Sequence, residues 1–256
     1  MSKPEMSKPE MSKPGVSKPG TPKPRMTVRP VVPAEFDVVL AVCVEAFADE
    51  AVSAWVEPVA ERRLDRTREL FTTSLRAAVD AGQLLVACTP GGEPVAASMW
   101  ITLDGARSVA GPEDHADPTG PADPADRTGP AGPTDPAGLA GLAGPTGPSD
   151  DHSVSRRLAA VVAATTARHP GAPHVYLSAM AALRRRRGLG AGSAMLRHGL
   201  DQARELGLPV YLEASTPQNQ RLYSRHGFQE HGAPIRLPEA GPTLQPMWHP
   251  NGRTAP

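Results

Sequence analysis

Apolar positions recur along this chain with two different periods. Phe36, Val39, Leu40, Cys43, Ala46 and Phe47 follow helical spacing, behind Pro33-Ala34-Glu35 and a β-rich stretch from Thr27 to Val32. A second helix is predicted over about residues 60–80, with Leu64, Leu70, Phe71, Leu75 and Val79 on one side. The character then changes. Gln83 to Thr89 and Val95 to Leu103 read as strands joined by Pro90-Gly91-Gly92-Glu93, a hairpin signal. Val154, Leu158, Val161 and Val162 mark another helix that stops near His169-Pro170. From there the elements alternate: strand His174 to Ala181, an Arg/Gly loop at 184–190, helix about 190–206, strand Val210 to Ala214, helix about 217–225, a short strand from Phe228 and a last strand around Thr243 to Trp248. That order describes a mixed α/β layer architecture, not a bundle or a sandwich.

Two tracts break the periodic pattern, and composition explains why. The 256 residues include 30 Pro and 24 Gly. Residues 1–25 hold six prolines and two glycines in a decaying five-residue repeat that begins Met-Ser-Lys-Pro-Glu. Residues 105–150 hold nine of each, with period three: Gly or Asp occupies every third position from Asp117 to Asp150. A collagen helix requires Gly at each such place, and five of the twelve are Asp, so the tract reads as a flexible insert. Neither tract has the apolar content to offset its ordering entropy. The expected organisation is therefore a disordered tail (1–25), one half of a domain (26–104), a low-complexity insert (105–150), the other half (151–250) and a short tail (251–256).

The formal net charge of zero divides the same way, with +4 in residues 1–25, −5 in residues 105–150 and about +1 elsewhere. No basic nucleic-acid footprint results. The longest aliphatic runs, such as Val38 to Val44, fall far short of the roughly 20 residues that span a bilayer. Cys43 and Cys88 stand in apolar surroundings, which suits buried free thiols in a reducing compartment. The expectation is a cytoplasmic protein that meets neither membrane nor nucleic acid. No His/Cys/Asp/Glu cluster has metal-ligand spacing, so no metal is implied.

Chemistry concentrates in Arg184-Arg185-Arg186-Arg187-Gly188-Leu189-Gly190-Ala191-Gly192-Ser193, between a predicted strand and a predicted helix. Small residues let backbone amides approach an anion, a helix start adds partial positive charge, and arginines add forked donors. Three readings compete: a solvated basic turn, a dinucleotide loop opened by Gly188-Leu189-Gly190 with Glu213 as a ribose-binding acid, and an acyl-CoA pyrophosphate site. Ser193 at the third glycine position, and four arginines ahead of the first, count against the dinucleotide.

Arg185-x-x-Gly188-x-Gly190, followed by Asn219-Gln220-Arg221-Leu222-Tyr223-Ser224-Arg225-His226-Gly227-Phe228, resembles the GNAT superfamily of acyl-CoA-dependent N-acyltransferases. The segments Ala46-Phe47-Ala48-Asp49 and Tyr211-Leu212-Glu213-Ala214-Ser215 look most like its puromycin N-acetyltransferase branch. The resemblance implies an α/β (α+β) fold with a central mixed, mostly antiparallel sheet flanked by helices, its central strands splayed. It implies acetyl-CoA as co-substrate and a primary amine as acceptor: an antibiotic, a metabolite amine or a protein amino group. Ser178, Ala179 and Met180 would pair with the pantetheine arm. Arg185, Arg186, Arg187, Gly188, Leu189, Gly190, Ala191, Gly192 and Ser193 would hold the pyrophosphate, with Asn219 against the cofactor.

Tyr223 matches the family's usual general acid. A phenol keeps its proton at neutral pH and can donate it to a forming thiolate. Glu213 has two readings, a base for the acceptor ammonium or an ion pair with one of the arginines, and His174 and His226 are titratable alternatives. His226, beside Gly227, reads as a solvent-facing helix end. Ala181-Ala182 stand where relatives often carry Asp-Pro, and Arg185-Arg186 replace a common Gln-Gly. A CoA-binding module without catalysis is the alternative from another functional class. Oligomeric state stays open.

Overall fold

The computed structural model describes residues 25–105 and 149–250. The expected tails and nearly all of the expected insert lie outside the described residues. Strand β1 (Thr27–Pro30) leads through a 3-10 turn (Pro33–Glu35) into α1 (Phe36–Phe47), and α2 (Ala51–Val56) and α3 (Ala60–Asp80) follow. The hairpin is β2 (Leu84–Cys88) and β3 (Pro94–Leu103). It closes where Thr89 N–H donates to Glu93 O at 2.9 Å. The second half runs α4 (Ser149–Thr166), β4 (His174–Ala182), α5 (Ala191–Glu205), β5 (Val210–Ala214), α6 (Pro217–Ser224), β6 (Gln229–Glu230), β7 (Ile235–Arg236) and β8 (Thr243–His249).

The strands form one sheet in the order β1-β2-β3-β4-β5-β8-β6, with β7 also on β8. Every pairing is antiparallel except β4 with β5. This is the mixed, mostly antiparallel sheet between helices that the resemblance implies. All five residues of β2 are buried, which explains its unbroken apolar run. Leu84 and Val86 turn toward α1 and α3, where they meet Val39, Leu40, Cys43, Leu75 and Val79. On the other face Leu85, Trp100 and Leu177 pack on Leu196 and Leu200 of α5. A smaller cluster joins α2 to α4 through Val56, Val154, Leu158 and Val161. Both cysteines are buried free thiols, and burial pushes the Cys43 thiol up to about 12.

Some sequence expectations change. Leu64 has the angular position of the α3 stripe, yet it is exposed, because the first buried residue of α3 is Thr67 and the helix start projects beyond the packed layer. The six-residue α2 and two-residue β7 are too short to carry a period. Helix α4 starts at Ser149, two residues inside the expected insert. Among the described residues, no helix is long and apolar enough to cross a membrane.

Candidate active site

The site begins with a defect in strand pairing. Ala179 faces Met99 and Leu177 faces Trp100, which leaves Ser178 as an extra residue on β4, a β-bulge. A bulge bends its strand, and here β4 pairs with β5 only at Val175↔Val210 and Tyr176↔Tyr211. Beyond Tyr176 the two strands part. The burial of β4 records the gap: His174 to Leu177 are buried, whereas Ser178, Ala179 and Met180 are half-buried. The Ser178 Oγ is buried there without a hydrogen-bond partner. The expected splay is present at the residues expected to line it.

A cavity of about 750 Å³ opens from the splay. Its wall includes Ser178, Ala179, Met180, Arg186, Arg187, Gly188, Gly190, Ala191, Gly192, Ser193, Glu213, Asn219 and Tyr223. Arg185 and Leu189 are absent from it. At one end, Leu183 is followed by a 3-10 turn (Arg184–Arg186), and the chain enters α5 through Gly188 (φ 81°) and Gly190 (φ 93°). Those backbone angles favour glycine over any residue with a Cβ. Gly190 caps α5 without a side-chain bond, so the amides of Ala191, Gly192 and Ser193 have no partner inside the helix.

The arginines divide by partner. Arg184 pairs with Asp49 at 3.0 Å and Arg185 with Glu45 at 2.7 Å, both through exposed side chains. Arg186 pairs with Glu93. Arg187 has no ion-pair partner among the described residues, and it lines the cavity. Backbone amides, a helix start and Arg187 thus converge on one end of the cavity, while the adjoining β4 edge keeps unpaired backbone groups. That donor set fits a cofactor carrying a pyrophosphate and an amide-bearing arm.

Tyr223 reaches the cavity from α6, whose start is capped by Thr216 Oγ1 accepting from Asn219 N–H at 3.1 Å. Asn219 Nδ2 donates to Ser215 Oγ at 3.3 Å. Burial pushes the Tyr223 phenol well above its usual value, and the charge of Glu50 adds to that. Its ring lies 5.8 Å from Phe228, which is buried behind Gly227 (φ 90°).

Glu213, on β5, is 5% exposed and has no arginine ion-pair partner among the described residues. Its Oε2 accepts from the Tyr176 hydroxyl at 2.9 Å, while its Oε1 is buried without a hydrogen bond. Burial pushes this carboxyl up to about 7, against the opposing effect of the Tyr176 bond. A carboxyl of that kind exchanges a proton near neutral pH. The histidines are placed differently from expectation. His226 is half-buried, its Nε2 3.0 Å from Ser193 Oγ, because the end of α6 packs on the start of α5. His174 is buried at the start of β4, and neither lines the cavity.

The cavity wall also includes Phe47 and Phe71, stacked at 4.7 Å, with Leu158 and Val161 from α4. Two acids there escaped notice in the sequence. Glu50 caps α2 through Oε2, 2.9 Å from Val52 N–H, and its Oε1 is buried without a partner. Glu57 is 2% exposed. The signal for Glu50 was its place directly after Ala46-Phe47-Ala48-Asp49. No period marks Glu57.

Residues 149–228 match the model of the Acetyltransferase (GNAT) family. No curated protein matches the chain. Among solved structures, the chain is similar to a histone acetyltransferase HPA2 and related acetyltransferase from Corynebacterium glutamicum, at 24% identity over 90% of this chain and 98% of that one, with a TM-score of 0.54. It is similar to arylalkylamine N-acetyltransferase 2 from Aedes aegypti at 13% identity, over 87% and 97% of the two chains, with a TM-score of 0.59. A polyamine N-acetyltransferase from Drosophila melanogaster gives 19%, 88% and 99%, with a TM-score of 0.51. At these identities the likeness is one of fold. Residues 149–228 thus carry the GNAT acetyltransferase match within a chain of the same fold.

Proposed function

We propose that the protein transfers the acetyl group of acetyl-CoA to a primary amine of a small molecule by direct attack. The observation that carries this reading is the β4/β5 splay opening into one cavity that both Tyr223 and Glu213 line. The fit of the Arg/Gly end to a pyrophosphate-bearing cofactor supports acetyl-CoA as the donor. Ser178, Ala179 and Met180 present the unpaired β4 edge to its arm, Arg187 and the amides of Ala191, Gly192 and Ser193 meet its phosphates, and Asn219 lies alongside. Arg185 and Leu189, off the cavity wall, act only by shaping the loop.

Bound acetyl-CoA supplies an activated acyl group. Glu213 takes a proton from the acceptor ammonium, which frees the nitrogen lone pair for attack. Tyr223, held in its phenol form by burial, donates its proton to the sulfur as the carbon–sulfur bond breaks. The half-buried Glu50, the buried Glu57 and the stacked pair Phe47 and Phe71 favour a cationic amine with an apolar body. Puromycin-like aminonucleosides, polyamines and arylalkylamines all belong to that class. Two buried free cysteines accord with a reducing compartment such as the cytoplasm.

Calorimetric titration is expected to show acetyl-CoA binding to both the wild-type chain and Tyr223→Phe. Turnover of the variant is expected to fall about 100-fold or more. Full turnover would remove Tyr223 from the chemistry.

A further inference from the structure

Beside Glu213, two histidines that the reaction above does not use, His169 and His174, extend it into a row of polar groups. Glu213 Oε1 stands 4.0 Å from His169 Nε2, and both side chains are 5% exposed. His169 Nδ1 is 3.2 Å from His174 Nε2. His174 Nδ1 is 2.8 Å from the carbonyl oxygen of Ala172.

Hydrogen-bond direction assigns the protons. A carbonyl oxygen only accepts, so His174 Nδ1 carries hydrogen. Burial pushes His174 below the usual histidine range, which keeps the ring neutral and leaves its Nε2 bare. Its neighbour His169 Nδ1 must then be the donor in the 3.2 Å contact. With the hydrogen on Nδ1, the neutral His169 ring carries none on Nε2, the nitrogen 4.0 Å from Glu213 Oε1.

We propose that His169 and Glu213 form a proton-sharing pair that receives the proton of the acceptor ammonium, with His174 fixing the tautomer of His169. Both histidines act through Glu213 and are positioning residues; neither lines the cavity. The proposal rests on the acyl-transfer reading for its substrate but not for its protonation chemistry. In the step itself, an N–H bond of the ammonium breaks and an O–H bond forms on Glu213. The pair then closes from 4.0 Å to about 3 Å, the proton moves to His169 Nε2, and Glu213 returns to carboxylate as His169 becomes imidazolium. Total charge is conserved, and the proton is lost to solvent after turnover.

The surroundings suit such a pair. From β4, Tyr176 donates to Glu213 Oε2 and meets the His169 ring edge-on at 4.4 Å. From β5, the Tyr211 ring lies 4.9 Å from His169, its hydroxyl kept protonated by burial and by the charge of Glu213. Arg168, next to His169 in the chain, is the cation whose charge reaches Tyr211. His231 reaches the group through Tyr211, ring to ring at 6.2 Å, and through Trp248, which stacks on His231 at 5.5 Å and lies 6.1 Å from His174.

A shared proton has a definite signature. With two places to reside, the last proton leaves the pair at a higher pH than it would leave Glu213 alone. Carboxyl 13C and imidazole 15N resonances of the full wild-type chain are expected to report the same two midpoints at Glu213 and His169. In His169→Gln the Glu213 midpoint is expected to fall by about one unit or more. His169→Asn serves as a second variant of the same kind. With acetyl-CoA and phenethylamine as the probe amine, kcat of His169→Gln is expected to fall about 10-fold, with the KM for acetyl-CoA unchanged. Independent single midpoints in the wild type, or an unmoved Glu213 midpoint in a folded variant, overturn the pair. Absence of thiol release by the wild type would count against the acyl-transfer reading instead, and the titration would still decide the pair.

Discussion

Glu213 carries a stability cost that its chemistry explains. Its carboxyl is pushed from the ordinary value up to about 7 by burial. Below pH 4.5 the group is protonated whether the chain is folded or not, and it costs nothing. As pH rises toward 7 the unfolded chain ionises it freely while the folded chain resists, so folding stability falls across that window and stays lower above it. The shift corresponds to a cost on the order of 3 kcal/mol at pH 8. Glu213→Gln is therefore expected to melt at a higher temperature than the wild type at pH 8, to differ little near pH 4.5, and to lose turnover. Equal melting temperatures at both pH values would contradict the buried, proton-exchanging carboxyl. Tyr223 and Glu213 were legible in the sequence because a motif marks one and a strand end marks the other. In the sequence His169 marks only a helix stop, and Glu50 belongs to no periodic pattern. Their importance comes from burial and from partners brought close by folding.

At the scale of elements, α5 shows why some glycines matter more than the motif suggests. Gly192 lies where a Cβ would come within 3.3 Å of Leu222 in α6, so the small residue lets α5 and α6 meet beside the cavity. Gly199, further along α5, faces Trp100 of β3 so closely that a Cβ would overlap the indole ring. That ring is fixed by its own bond, Trp100 Nε1 donating to Ser98 Oγ at 2.9 Å. Gly199→Ala is expected to destabilise the fold by about 1–3 kcal/mol, read as a lower chemical-denaturation midpoint. A variant as stable as the wild type would show that α5 can shift away from the sheet at no cost. The long elements were legible almost to the residue, as α1 at Phe36–Phe47 and β5 at Val210–Ala214 illustrate. The bulge at Ser178 was not, because it arises from mismatch between two strands and leaves no period in either.

At the scale of the whole molecule, two features set the direction of the chemistry. The Arg/Gly loop gathers positive charge around Arg187, while the helices lining the same cavity bring Glu50 and Glu57 together with an aromatic pair. An anionic donor and a cationic acceptor would share this one cavity and meet at Tyr223 and Glu213. The donor loop was legible because glycines and arginines adjoin in the chain. The acceptor lining was not, since α1, α2, α3 and α4 each contribute a few residues separated by long stretches of sequence. The most direct test is thiol release from acetyl-CoA by the chain starting at Met26, across a panel of primary amines with alkyl, arylalkyl, polyamine and aminonucleoside bodies. Amine-dependent release, matched by the N-acetylated product and strongest for cationic amines with an apolar body, is the predicted result; acetyl-CoA binding without release for any amine would contradict the account.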